Sequence, residues 1–278
     1  MTKLAEISPG IQQYVLDLQQ LYPDGNSRAR FEVRWDAFVN DNCEYRELFE
    51  RRGDKLIYQT ESFLPPRDRS RIAVLLLLGN PALQSVQAGM CFAFERGSLI
   101  EHRFWRALRA AGWLSFDDAH LTHDDIAERN ASRRKDLLNA AYESPFLIGI
   151  DVFFSFPSPA STPKWAGVAG LVRLFGQPAV RVIAAAERSR LGAAIAAHAG
   201  YGAVVAFQRD AYEYLRDPSS RPYSVAAARA GTLSCRLATS QAVQLFAAPP
   251  TRFAHTQAFR DVLHGYGRQI SSAPLQSD

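Results

Sequence analysis

The sequence predicts an α/β protein: a three-layer α/β/α sandwich around a central, mainly parallel four-stranded sheet, with a mainly helical N-terminal extension. Three observations carry that prediction. The run Ile72-Ala73-Val74-Leu75-Leu76-Leu77-Leu78 has no polar alternation, as expected of a parallel strand buried on both faces. Apolar stretches of strand length at 146–154, 179–185 and 242–246 alternate with helical patterns, the mark of right-handed crossovers. Within an N-terminal extension over 1–70, stretches 11–21 and 28–39 instead show helical spacing, and Leu64-Pro65-Pro66-Arg67-Asp68 reads as the joint to a main domain over 71–278.

The bulk properties narrow the class. A chain of 278 residues can bury the core of one large α/β domain, or of one domain plus a small extension. A formal charge of +4 permits nucleic-acid binding without demanding it. Cys43, Cys91 and Cys235 are far apart, which implies neither a disulfide framework nor a zinc site. No apolar run approaches the roughly 20 residues that span a bilayer. Residues 1–6 lack a signal-peptide core, so a cytoplasmic location is expected.

Along the chain, Ile11, Val15, Leu16, Leu18 and Leu21 have helical spacing, and Tyr22-Pro23-Asp24-Gly25-Asn26-Ser27 is a strong turn. Phe31, Trp35 and Phe38 mark a second amphipathic helix over 28–39, although Phe31, Val33 and Trp35 also fit a short strand. The strand at 72–78 must open into a loop at Gly79-Asn80-Pro81, because Pro cannot continue a ladder. In open parallel sheets, ligands sit beyond the carboxyl ends of the strands, which makes Asn80 the first candidate site residue. A helix over 100–111 buries Phe104, Trp105, Leu108 and Ala111, while Arg103, Arg106 and Arg109 read as a solvated face rather than a phosphate stripe. His120, His123, Asp124 and Asp125 look like metal ligands, yet a polar helical surface explains them as well, and no metal is expected. The strand at 146–154 ends in Ser155-Phe156-Pro157-Ser158-Pro159, the expected second wall of a pocket. A helix over 165–175 should stop at Gly176-Gln177-Pro178, followed by the strand at 179–185 and an alanine-rich helix over 187–199. Tyr212 and Tyr214 beside Arg209 and Arg216 read as a partly buried helix, and a last helix covers 256–263.

The loop residues carry a resemblance. Leu78-Gly79-Asn80-Pro81-Ala82 and Gly89-Met90-Cys91-Phe92 resemble the first motif of the uracil-DNA glycosylase superfamily, closest to its mismatch-specific branch. That branch reads Gly-Ile/Met-Asn-Pro-Gly followed by Gly-x-Pro-Phe, with the same spacing from Asn to Phe. Arg103-Phe104-Trp105-Arg106 and Ala111-Gly112 look like its Asn-Arg-Phe-Trp-Lys…Ala-Gly helix, after a longer connection. Pro157-Ser158-Pro159 resembles a Pro-x-Pro element of the branch, but Phe154 stands where an Asn can precede it. The second motif departs further: Pro249 is kept, with Ala248 in place of His or Asn and Pro250 in place of Ser. His255 is too far along to replace that imidazole. The likeness covers roughly residues 71–265, and three cysteines exclude the branches with a four-cysteine iron–sulfur cluster.

The resemblance implies a monofunctional DNA glycosylase acting on uracil or a related damaged base, with water as nucleophile and no cofactor. Asn80 would be catalytic, orienting water by hydrogen bonding. Gly79, Pro81, Ser85, Phe92 and Ser155 would bind substrate, with Phe92 stacking on the extruded pyrimidine and amides in 79–85 polarising a base carbonyl. Pro249, Thr251, Arg252 and Phe253 would meet DNA, Arg252 or Phe253 filling the vacated stack; Phe253 reads equally well as an anchor for the last helix. The altered second motif and Ala82 in place of Gly support an alternative: a weak or inactive relative that binds nucleic acid or a nucleobase. A nucleotide-handling α/β enzyme is disfavoured, since no phosphate-cradling glycine fingerprint follows the first strand.

Overall fold

The computed structural model describes residues 1–68, 70–94, 100–117, 125–160, 162–200 and 202–272. The chain forms two units from non-contiguous segments. Met1–Ser62, Gly79–Cys91 and Val152–Arg190 make the first; Phe63–Leu78, Phe92–Asp151 and Leu191–Asp278 make the second. The α/β class predicted from the sequence is observed, but its sheets differ from the expectation.

The N-terminal residues are not mainly helical. Strands β1 (Thr2–Ser8) and β2 (Ile11–Asp17) form a hairpin around Pro9 and Gly10, the latter at φ +79°. Helix α1 (Leu18–Leu21) is one turn, and α2 (Gly25–Asp41) is the predicted amphipathic helix, capped by Asp24 and burying Phe31, Trp35 and Phe38. A 3-10 segment, Cys43–Leu48, leads to β3 (Phe49–Arg52) and β4 (Lys55–Glu61). The sheet is antiparallel in the order β1-β2-β4-β3. The helix expected over 11–21 is therefore mostly strand. Its spacing was compatible with helix, but pairing with β4 across Ile11 to Asp17 outweighs local propensity, and Tyr14 stacks on Tyr58 at 6.2 Å.

In the second unit β5 (Ile72–Leu78) lies where predicted, with Val74 to Leu77 fully buried. Each such side chain contributes about 1.5–3 kcal/mol of transfer free energy. Helix α3 (Leu83–Ala88) belongs to the first unit; α4 (Arg103–Ala110), α5 (Ile126–Leu138) and β6 (Phe146–Val152) follow. Trp105 is core, and Arg103 and Arg106 are exposed, as the helical pattern implied. Buried Arg133 of α5 pairs with Glu101 at 2.9 Å and lies 4.7 Å from the rings of both Phe94 and Phe116.

Helix α6 (Gly167–Phe175) ends at Gly176, φ +85°, as predicted, but the next strand is absent: α7 (Gln177–Ala199) runs through both the predicted strand and the predicted helix. Pro178 sits in its first turn, where a missing N–H costs little. The buried positions Ala179, Val180, Ile183, Ala184, Glu187, Leu191, Ile195 and Ala199 follow helical spacing, and Val182 points outward. The true strand is β7 (Ala203–Ala206), short and buried throughout, parallel to β5. Gly202 precedes it; a Cβ there would fall 1.8 Å from the Ala73 carbonyl oxygen.

Helices α8 (Arg209–Leu215) and α9 (Val225–Arg229), strands β8 (Ser234–Leu237) and β9 (Ser240–Ala247), and helix α10 (Gln257–Ser272) complete the chain. The partly buried helix predicted around Tyr212 and Tyr214 is α8, with Tyr212 fully buried and Tyr214 half-buried. The second sheet has five strands in the order β6-β5-β7-β9-β8. It is mixed rather than a mainly parallel set of four: β5, β7 and β9 are parallel, and β8 is antiparallel to β9. The sequence expectation missed β8 and misplaced β7, because a four-residue strand leaves almost no periodicity to read. Among the described residues, no single helix is long and apolar enough to cross a membrane.

Candidate functional site

The first unit holds the loop that begins at Gly79. Phe154 N–H donates to the Gly79 carbonyl at 2.8 Å, and Ala82 and Ser158 form a short parallel bridge. In that bridge Ser158 N–H donates to Pro81 O at 3.0 Å, and Leu83 N–H to Ser158 O at 3.1 Å. The loop is thus stitched to the stretch beyond β6 from both sides of Ser158.

Asn80 is half-buried, and its carboxamide is oriented by that stitching. Nδ2 donates to Ser158 Oγ at 2.7 Å and lies 3.3 Å from Pro81 O. A carbonyl oxygen only accepts, so the Pro81 contact assigns the amide nitrogen to this side. Ser158 Oγ also accepts the Gly167 N–H at 2.9 Å, at the start of α6. Asn80 Oδ1 is consequently directed away from the Ser158 hydroxyl as an acceptor. Ser158 is 3 % exposed; the sequence placed it in the expected pocket wall over 155–159 without singling it out as a site residue.

Other predicted residues of this unit are placed differently. Pro81 is buried, Gly79 is half-buried, and Ser85 is buried in α3. The amides of Leu83, Ser85 and Val86 are taken by Ser158 O and Ala82 O, which shortens the expected row of ligand-facing donors in 79–85. Ser155 has its polar groups engaged within the protein. It is fully buried, its hydroxyl donates to Glu187 Oε1 at 2.5 Å, and the Tyr58 hydroxyl lies 2.6 Å away. Its amide also donates to Glu187 at 2.6 Å, while Arg190 Nε pairs with Glu187 Oε2 at 2.6 Å. Burial pushes the Glu187 carboxyl above the usual carboxylate range, against the pull of Arg190 and Ser155. A carboxylate on α7, out of view in local sequence, claims both donors of the serine.

In the second unit Phe92 has φ +49°, a left-handed conformation that a bulky side chain adopts at a cost of about 1–3 kcal/mol. Trp105 Nε1 holds its carbonyl at 3.1 Å. The half-buried ring stacks on Phe104 at 4.2 Å and on His102 at 4.9 Å, so much of its surface is already committed to the protein. His102 caps α4, with Nδ1 accepting the Phe104 N–H at 3.2 Å. Burial, then Arg103 and Arg106, lower its pKa to about 4.

A group whose folded pKa lies below its ordinary value of 6.5 adds stability above pH 6.5 that is lost as pH falls towards 4. The melting temperature should therefore drop across that interval, and His102→Asn, which still caps the helix, should flatten the drop. The slope left in the variant belongs to the other shifted groups, among them His198, lowered by burial, and the buried carboxyl of Glu187, raised by it. An identical pH profile in the two proteins would remove His102 as the source.

The loop after β9 begins with Ala248, fully buried, whose N–H donates to Ala206 O at 2.9 Å. Pro249 is buried too, so it supports the loop from within. Thr251–Phe253 form a 3-10 turn with Thr251 and Phe253 half-buried and Arg252 exposed. His255 is exposed, its Nδ1 3.1 Å from Arg252 O. Of the acidic and histidine cluster, His120, His123 and Asp124 lie outside the described residues, and Asp125 caps α5 through Ala127 N–H at 2.8 Å. Among the described residues, no three His, Cys, Asp or Glu side chains are placed to hold a metal.

Asn80 and Phe92 thus fall in different units, and the side-chain grouping around Asn80 is with Ser158, Pro81 and Gly167. Neither protein-family models nor curated proteins give a match to this chain.

Proposed function

We propose that the chain is a monofunctional DNA N-glycosylase that hydrolyses the bond between deoxyribose and uracil or a related damaged base. In this reading the C1′–N bond breaks as the base leaves, a water oxygen bonds to C1′, and the products are a free base and an abasic sugar. The water needs an acceptor to hold it on the far face of a sugar with oxocarbenium character. Asn80 Oδ1 supplies that acceptor because Ser158 and Pro81 engage the amide nitrogen. That fixed carboxamide, directly after β5, is the observation that carries the reading. A neutral amide provides no charge for the sugar, so slow release from easily opened pairs such as uracil opposite guanine is expected. A three-layer arrangement and a cytoplasmic location belong to the same proposal.

The second reading, an inactive relative that binds nucleic acid or a nucleobase, is favoured by Ala248. By the resemblance, Ala248 takes the position of the imidazole that would stabilise the leaving base, and its methyl is buried. Labelled oligonucleotides carrying uracil, single-stranded or opposite guanine, separate the two after alkali treatment. Scission that disappears in Asn80→Ala supports the glycosylase; tight binding without scission supports the binder.

A further inference from the structure

Beyond β9 an aromatic ring is held by two guanidinium groups. Arg229 Cζ lies 5.4 Å from the centroid of Phe253, and Arg252 Cζ lies 5.0 Å from it. Both arginines are exposed, while the ring is half-buried. Arg229 is the last residue of α9, a helix capped by Ser224, and Arg252 is in the 3-10 turn whose Phe253 N–H donates to Pro250 O at 2.9 Å. Both cations therefore sit on backbone that is hydrogen-bonded in place. Among the described residues, no carboxylate pairs with either.

A third cation shares an aromatic neighbour with Arg252. Exposed Arg209 opens α8, and both it and Arg252 act electrostatically on Tyr223. Asp210 lies beside Arg209 and offsets part of its charge, so Arg229 and Arg252 dominate. Two like charges drawn to one ring repel each other, and an anion bridging them relieves that repulsion.

We propose that Arg229 and Arg252, spaced by Phe253 and extended by Arg209, contact the phosphate backbone of a nucleic acid. The choice of partner rests on the glycosylase reading, and the interleaving of arginines with Phe253 and Tyr223 also fits nucleic acid better than an acidic peptide. Phe253 is then a spacer that orients the guanidiniums, not the wedge in the base stack.

The test uses the whole chain, an undamaged labelled DNA duplex and fluorescence anisotropy at salt concentrations from about 50 to 200 mM. Each lost phosphate contact reduces the slope of log affinity against log salt by about 1. Arg229→Gln with Arg252→Gln should therefore reduce it by about 2, Arg209→Gln by less than 1, and the exposed control Arg30→Gln by nothing. Phe253→Ala should weaken the undamaged duplex as the arginine variants do; a loss confined to uracil-containing DNA would overturn the spacer role. An unchanged slope in the double variant, or the same loss in Arg30→Gln, overturns the surface. So does arginine-dependent binding of polyglutamate without arginine-dependent binding of duplex, which would assign the patch to an acidic protein. Because the duplex carries no lesion, binding that needs these arginines in a protein that releases no uracil would sink the glycosylase reading and leave this one standing.

Discussion

Asn80→Ala should slow single-turnover release of uracil by about 100-fold, the scale of misplacing a reacting group in an otherwise intact site. The loss belongs in the rate and not in duplex affinity, since a neutral carboxamide held by Ser158 and Pro81 neutralises no phosphate. Asn80→Asp should do the opposite and accelerate release. A carboxylate near C1′ stabilises the oxocarbenium ion, and the Ser158 hydroxyl, which now accepts from the amide, can turn to donate to it. Ser158→Ala should fall between wild type and Asn80→Ala, with Ser158→Thr restoring most of the rate. Quantifying scission against time for the four variants checks the order, and wild-type rates in Asn80→Ala would eliminate water placement by this residue.

Glu187→Ala should cost about 3–5 kcal/mol of stability, the range for breaking a buried ion pair by removing one partner. The carboxylate is fully buried and receives both donors of Ser155 and the Arg190 guanidinium, which also donates to the Val152 carbonyl. Removing it strands the Ser155 amide and Arg190 Nε, while the Ser155 hydroxyl keeps Tyr58 within reach. Glu187→Gln should cost less, because the amide keeps an acceptor for Ser155 and mimics the protonated form that burial favours. The sign of the pH effect follows from the raised pKa. The stabilisation is present below the ordinary carboxylate value and is lost as pH rises through the folded one, so wild type should lose its advantage over Glu187→Gln as pH rises. Urea midpoints at several pH values measure both effects, and equal midpoints for Glu187→Ala and wild type would refute the burial argument.

The legible parts of the fold were those in which local pattern and environment agree. The seven apolar residues of β5 are buried on both faces, and the Gly79-Asn80-Pro81 turn follows them directly, so both the element and its end could be read. The amphipathic stripes of α2 and α4 were readable for the same reason. Residues 11–17 were not, because their partner, β4, lies some 45 positions on and supplies the bonds that make them strand. In residues 179–185 an alternation of Val180 and Val182 imitated a strand, whereas the longer spacing through Ile183, Glu187 and Leu191 is the one that packs.

The candidate site divides along the same line. Asn80 was identified by type and position, but the orientation of its amide comes from Ser158, 78 residues away, and Ser155 was lost to a carboxylate 32 residues away on α7. Residue chemistry and the strand that ends in a polar loop are properties of a short window, and the sequence by itself determined them. Which hydroxyl holds the amide, which serine is claimed by the core and which arginines share a ring depend on hydrogen bonds and ring contacts between distant segments. Those were decided only by the tertiary structure, because such contacts act over a few ångströms and leave no periodicity in the chain.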